Sequence, residues 1–140
     1  MNMMTISTRG RYATRIMALL ATETDCPQMT KYQIADAEAI SPAYVQQLLM
    51  SLRMAGLVRS HRGRLGGFSL ARDPKTITVG DILSAVEGDI LPTPCRSTRH
   101  CGRAAVCPSR PVWEKAASLL ENLFTSITLE DMVNRRLPTD

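Results

Sequence analysis

Histidine is scarce in this chain of 140 residues, which holds only His61 and His100. No carboxylate pair stands out, and its glycines do not form a loop that opens a helix. The general bases, activated nucleophiles and phosphate cradles on which catalysis draws are missing, which argues against an enzyme. No apolar run approaches the ~20 residues needed to cross a bilayer. Arg9, Arg11 and Arg15 interrupt the first helical pattern, so the amino-terminal stretch does not read as a basic, apolar and cleavable leader. The expectation is a cytoplasmic protein with no membrane partner. The sequence also lacks internal repeats and low-complexity tracts.

What is present suffices for one compact domain. Hydrophobic residues make up 44% of the chain, enough at this length to build a core without covalent staples. In a reducing compartment the four cysteines are more often ligands or redox centres than disulfides. The net charge of +4 is unevenly spread: residues 1–72 hold nine Lys or Arg against four Asp or Glu, and residues 73–140 hold eight against nine. Arg53, Arg59, Arg62, Arg64 and Arg72 fall in a stretch without a single acid, the footprint of a phosphate-backbone partner. Taken alone, such a stripe is more often a solvated surface, so the local patterns must decide.

Three helix signals follow one another. Tyr12, Ile16, Leu19 and Leu20 recur at helical spacing between about Gly10 and Thr22. Thr30 and Gln33 form a capping box for a short helix whose inner face is Ile34 with Ala35 and Ala37. Ser41 is an N-cap, Pro42 suits the first helical position, and Tyr44, Val45, Leu48, Leu49 and Leu52 make a buried stripe that runs until Gly56. A short helix, a tight turn from Glu38 to Ser41 and a longer capped helix make a helix-turn-helix. On its second helix Ser41, Ala43, Gln46, Gln47 and Ser51 face away from the stripe, and glutamine can pair with base edges or phosphates.

Alternating apolar positions flank the glycine-rich tip Arg62-Gly63-Arg64-Leu65-Gly66-Gly67 and predict a hairpin, a wing whose arginines could enter a minor groove. Thr78 and Asp81 start another helix, ended by Gly88. Val112, Trp113, Ala116, Leu119, Leu120, Leu123, Phe124 and Ile127 form an apolar stripe too wide for a lone surface helix and predict a dimer contact. Thr128 to Asp131 opens a last short helix, and 135–140 reads as a frayed tail. The expected fold is mostly α with a small β-wing: a winged helix-turn-helix over 1–88, a cysteine loop over 89–111, and a dimerisation helix with its tail over 112–140.

Cys95, Cys101 and Cys107 stand at even intervals of five intervening residues. Three thiolates on one loop can wrap a polynuclear metal cluster, whereas structural zinc ligands usually come in closer pairs. Arg96, Arg99, Arg103 and Arg110 lie among them with no acid between 90 and 109, and nearby cations favour thiolates. Pro92, Pro94, Pro108 and Gly102 keep the stretch a loop. A disulfide, or an accidental cluster of free thiols, is the plainer reading. Cys26, before the second helix, is expected to be a bystander.

Over nearly its whole length the chain resembles the winged-helix iron–sulfur regulators typified by IscR and NsrR. The likeness lies in the run Met4 to Ala13, the helix Ser41 to Arg53, the wing from Gly56 through Gly67, the helix start Val79-Gly80-Asp81, and the C-x5-C-x5-C spacing in that order. It implies a homodimeric transcription factor bound to a pseudo-palindromic operator in double-stranded DNA. Ser41, Ala43, Tyr44, Gln46, Gln47, Arg53, Arg59, Arg62 and Arg64 would meet the DNA, while Cys95, Cys101 and Cys107 hold a [2Fe-2S] or [4Fe-4S] cluster. The fourth ligand is open, because Arg110 stands where one branch has a histidine and Arg11 where the other has an aspartate. His100, Ser109, Glu87, or Ser7 or Thr8 of a partner, solvent or a small thiol are the alternatives. A winged-helix regulator whose cysteines bind zinc or form a thiol switch is the competing reading; an electron-transfer module would leave the wing idle.

Overall fold

A computed structural model describes residues 6–22, 28–64, 66–89, 93, 95 and 101–139. Three helices come first: α1 (Thr8–Thr22), α2 (Lys31–Glu38) and α3 (Pro42–Met54). Strands β1 (Val58–His61) and β2 (Gly67–Leu70) follow, then α4 (Val79–Glu87), α5 (Arg110–Ser126) and α6 (Leu129–Val133). Short-range chemistry sets most of these boundaries. Thr30 accepts from the Gln33 N–H at 3.2 Å while the Gln33 side chain accepts from the Thr30 N–H at 2.8 Å, so α2 starts with two of its orphan donors satisfied. Ser41 caps α3 through the Tyr44 N–H at 3.2 Å, with Pro42 at the first helical position. Thr78 with Asp81, and Thr128 with Asp131, repeat the reciprocal cap at α4 and α6.

One apolar core joins these elements. Val45, Leu48, Leu49 and Leu52 of α3 are fully buried with Ile16 and Met17 of α1, Ile34 of α2, Ile82 of α4 and Leu129 of α6. Two expected faces are corrected. Helix α1 buries Gly10, Ala13, Ile16 and Met17, leaving Tyr12, Leu19 and Leu20 partly covered, because it packs on α4 and α6 as well as on the helix-turn-helix. Ala37 is exposed: the covered arc of α2 runs through Lys31, Ile34, Ala35 and Glu38, and position 37 falls outside that stripe.

The strands pair antiparallel, from Val58 opposite Leu70 to His61 opposite Gly67. The hairpin is also fastened to the helix-turn-helix, since Met29 and Phe68 exchange backbone hydrogen bonds of 2.9 and 2.7 Å. Gly67, with φ +152°, makes that approach possible, for a Cβ there would sit 2.6 Å from the Met29 carbonyl oxygen. At the far end Val79 N–H donates to Ile127 O at 2.9 Å and Leu129 N–H to Ile77 O at 2.7 Å, which returns α6 to the core. Helix α5 packs on α4 along one side, burying Ala117 and partly covering Ala116, Leu120 and Phe124; Val112, Trp113, Leu119 and Leu123 are 57%, 39%, 58% and 45% exposed. Among the described residues no helix is long and apolar enough to cross a membrane.

Candidate nucleic-acid interface and metal centre

The polar side of α3 and the wing make the first site. Ser41, Ala43 and Gln47 are exposed, Gln46 is half-buried and Arg53 is exposed, so a groove can reach the helix along most of its length. Tyr44 is half-buried, with its ring edge-on to Tyr12 at 6.0 Å between centroids. Its place is between helices α1 and α3. At the wing Arg62 and Arg64 are exposed, while Arg59 donates to the Ala71 carbonyl at 3.3 Å and His61 Nε2 lies 2.7 Å from Ser69 Oγ, bracing the two strands. The arginine stripe does not continue to Arg72, which donates to the Thr76 carbonyl at 2.5 Å and lies 3.9 Å from the Asp81 carboxylate. Asp73, the sequence neighbour of Arg72, instead accepts from the Lys75 N–H and caps the turn that follows.

Two residues that sequence reasoning passed over belong beside this surface. Lys31 and Tyr32 open α2, the Lys31 ammonium 5.2 Å over the Tyr32 ring, and Tyr32 is 65% exposed. The bridge between Met29 and Phe68 carries this helix start to the base of the wing. The Thr30 capping box was the available signal, since a capped start presents its first-turn side chains and spare N–H groups outward.

The second site lies between α4 and α5. Cys95 and Cys107 are half-buried, Cys101 is exposed, and all three are free thiols. Hydrogen bonds from the Ser109 side chain and backbone, 3.3 Å from Sγ to Oγ, and then the Arg110 N–H and charge hold the Cys107 thiol below its ordinary value. Arg110 is held protonated first by its 2.8 Å bond to Glu114, with the Cys101 and Cys95 thiols adding to the effect. One guanidinium thus lies within electrostatic reach of all three cysteines. The donor chemistry fits an iron–sulfur cluster: three thiols with a cation that offsets anionic charge. Among the described residues no three His, Cys, Asp or Glu side chains converge as a metal site. Cys26, His100, Arg96 and Arg99 lie outside the described residues. Two of the alternatives for a fourth ligand are engaged with each other: Glu87 Oε1 accepts from the Ser7 N–H at 3.1 Å and from its hydroxyl.

The family model Rrf2, described as an iron-dependent transcriptional regulator, matches residues 6–135. An HTH-type transcriptional regulator of Haemophilus influenzae is 33% identical over 133 residues, covering 95% of this chain and 89% of its own. The HTH-type transcriptional regulator IscR of Escherichia coli K12 is 32% identical over 133 residues, 95% of this chain and 82% of its own. Among solved structures, T. potens IscR superposes with a TM-score of 0.76 at 34% identity, covering 97% and 93% of the two chains. CymR, the global cysteine regulator of B. subtilis, does so with a TM-score of 0.75 at 34% identity, covering 99% and 100%.

Proposed function

The chain belongs to the Rrf2 family of iron-dependent transcriptional regulators, and from that premise we propose a DNA-binding regulator whose operator affinity is set by an iron–sulfur cluster on Cys95, Cys101 and Cys107. The observation that carries this reading is a segment with three free thiols, the last of them hydrogen-bonded to Ser109 beside Arg110, that follows directly on a winged helix-turn-helix. When bound, a [2Fe-2S] or [4Fe-4S] cluster supplies a centre that responds to redox state, iron–sulfur supply or nitric oxide. Arg110 offsets the charge of the thiolates and cannot ligate, and the Glu87 carboxylate is engaged with α1. His100, Ser109, Thr8 of a partner, solvent or a small thiol would complete the shell, and a solvent ligand would leave one iron accessible.

In this reading α3 enters the major groove with Ser41, Ala43, Gln46 and Gln47 toward the bases, and Arg62 and Arg64 of the wing follow the adjacent minor groove. Arg53 and Arg59 lie toward phosphates, joined by Lys31 and Tyr32. The uncovered side of α5 seats a second copy of the chain, and two reading heads then match half-sites about one helical turn, or a multiple, apart. The cytoplasm is the expected compartment. Anaerobic purification tests the cluster: brown protein with visible absorption and matched iron and sulfide supports it, and colourless protein containing zinc rejects it. The likeness to CymR, whose described role is cysteine regulation, favours as second reading a regulator whose thiols act without a cluster.

A further inference from the structure

The joint between α4 and α1 is built of two helix caps that point in opposite directions. Glu87, at the carboxyl end of α4, accepts through Oε1 from the N–H groups of Ser7 at 3.1 Å and Gly10 at 3.2 Å, and from the Ser7 hydroxyl. These are orphan donors at the amino end of α1, where a negative charge also meets the positive end of the helix dipole. In return Arg9 Nε donates to the Val86 carbonyl at 3.3 Å, placing a cation at the negative end of α4. Gly10 permits this closeness, because a Cβ there would sit 2.7 Å from Glu87 Oε1 and 2.9 Å from Leu83 Cδ2.

Each side of the joint leads to one of the two sites. Immediately after Glu87 comes Gly88, the cap of α4, and then the segment that carries the cysteines. On the other side, Arg15 of α1 pairs with Glu38 at 2.6 Å and donates to its carbonyl at 3.2 Å, holding the helix-turn-helix turn. The same guanidinium lies 5.1 Å over the Tyr12 ring, and Tyr12 meets Tyr44 in the first turn of α3. From these contacts we infer that Glu87 is a positioning residue for DNA recognition: it ties the cysteine segment to α1, and α1 carries its state through Tyr12 and Arg15 to the recognition helix. This role rests on the reading of the cysteines as the sensing site, but Glu87 acts as a carboxylate cap and not as a ligand.

The test uses the full-length protein, wild type, Glu87→Ala and Glu87→Gln, with an operator duplex selected from random DNA by the wild type. Operator affinity is measured with and without the cluster, and amide hydrogen exchange is followed in the cluster-free form. For the wild type the two forms should differ at least about fivefold. Glu87→Ala should bring that ratio close to one with the visible spectrum intact, and Glu87→Gln, which keeps an acceptor oxygen, should fall between. Exchange in Glu87→Ala should quicken in the first turn of α1 and also at Ala43–Val45 of α3. A wild-type ratio retained by Glu87→Ala, a lost chromophore, or faster exchange confined to α1 would each overturn the inference. If the wild-type ratio is itself one, the sensor reading has failed, and exchange at α3 alone decides for or against the joint.

Discussion

In the proposed DNA complex Arg62 and Gln46 have different positions and therefore different expected tasks. Arg62 sits at the exposed tip of a hairpin, within reach of a narrow, strongly negative minor groove, so Arg62→Ala should lower operator affinity about tenfold or more and relax preference at flanking positions. Titration of a labelled operator checks this, and an unchanged constant with an unchanged footprint would refute it. Gln46 lies in α3, and Gln46→Ala should alter the bases recovered by selection from random DNA instead of weakening all sequences alike. The exposure of Arg62 was legible in the sequence from its place in a glycine-rich turn, whereas Gln46, on the polar side of α3, is half-buried. Tyr44 was legible only in half, for its helical phase places it at the edge of the stripe and only the fold sets its ring against Tyr12. Glu87 could not be read at all as a cap, since Ser7, which it accepts from, lies 80 residues away in sequence.

The elements follow their caps. Four helix starts could be placed from Thr30, Ser41, Thr78 and Thr128, since a cap and the N–H it accepts from lie three residues apart and need no tertiary knowledge. The covered face of α1 could not, because contacts on two sides decide it. Asp131 shows what a cap does to acid stability: bonding from the Thr128 side chain and backbone holds its carboxyl below the ordinary value of 3.8. A depressed folded value gives stability that is present above the unfolded value and is lost as pH falls through the folded one. Asp131→Asn should therefore be less stable to urea near neutral pH, with the difference from wild type vanishing in strong acid. A difference that stayed constant with pH would contradict the assignment. Gly67→Ala should loosen the wing from Met29, because φ +152° and the 2.6 Å approach leave no room for a Cβ. Faster amide exchange at Phe68, with α3 unaffected, is the expected result; unchanged exchange would show that the strap tolerates a methyl group.

The whole molecule is a reading head with an uncovered helix and a thiol segment between them. Leu119 and Leu123 are 58% and 45% exposed, so Leu119→Glu removes no intramolecular packing of consequence and should convert a dimer to folded monomer. Sedimentation at micromolar concentration checks this, and a wild-type protein already monomeric would reject the dimer. Much of this plan could be read from residue order, the wing before C-x5-C-x5-C above all. The pairing of Arg110 with Glu114 and the bond from Ser109 to Cys107 could not, since they depend on how α5 begins against the end of the thiol segment. The central claim is that these thiols control DNA binding through a cluster. The most direct measurement is operator affinity of one anaerobic preparation, taken with its cluster intact and again after its removal, with iron and sulfide counted in both. A visible chromophore and a shift of about five- to 150-fold between the two are expected; superimposable binding curves, or a preparation that never takes up iron and sulfide, would rule out control by a cluster.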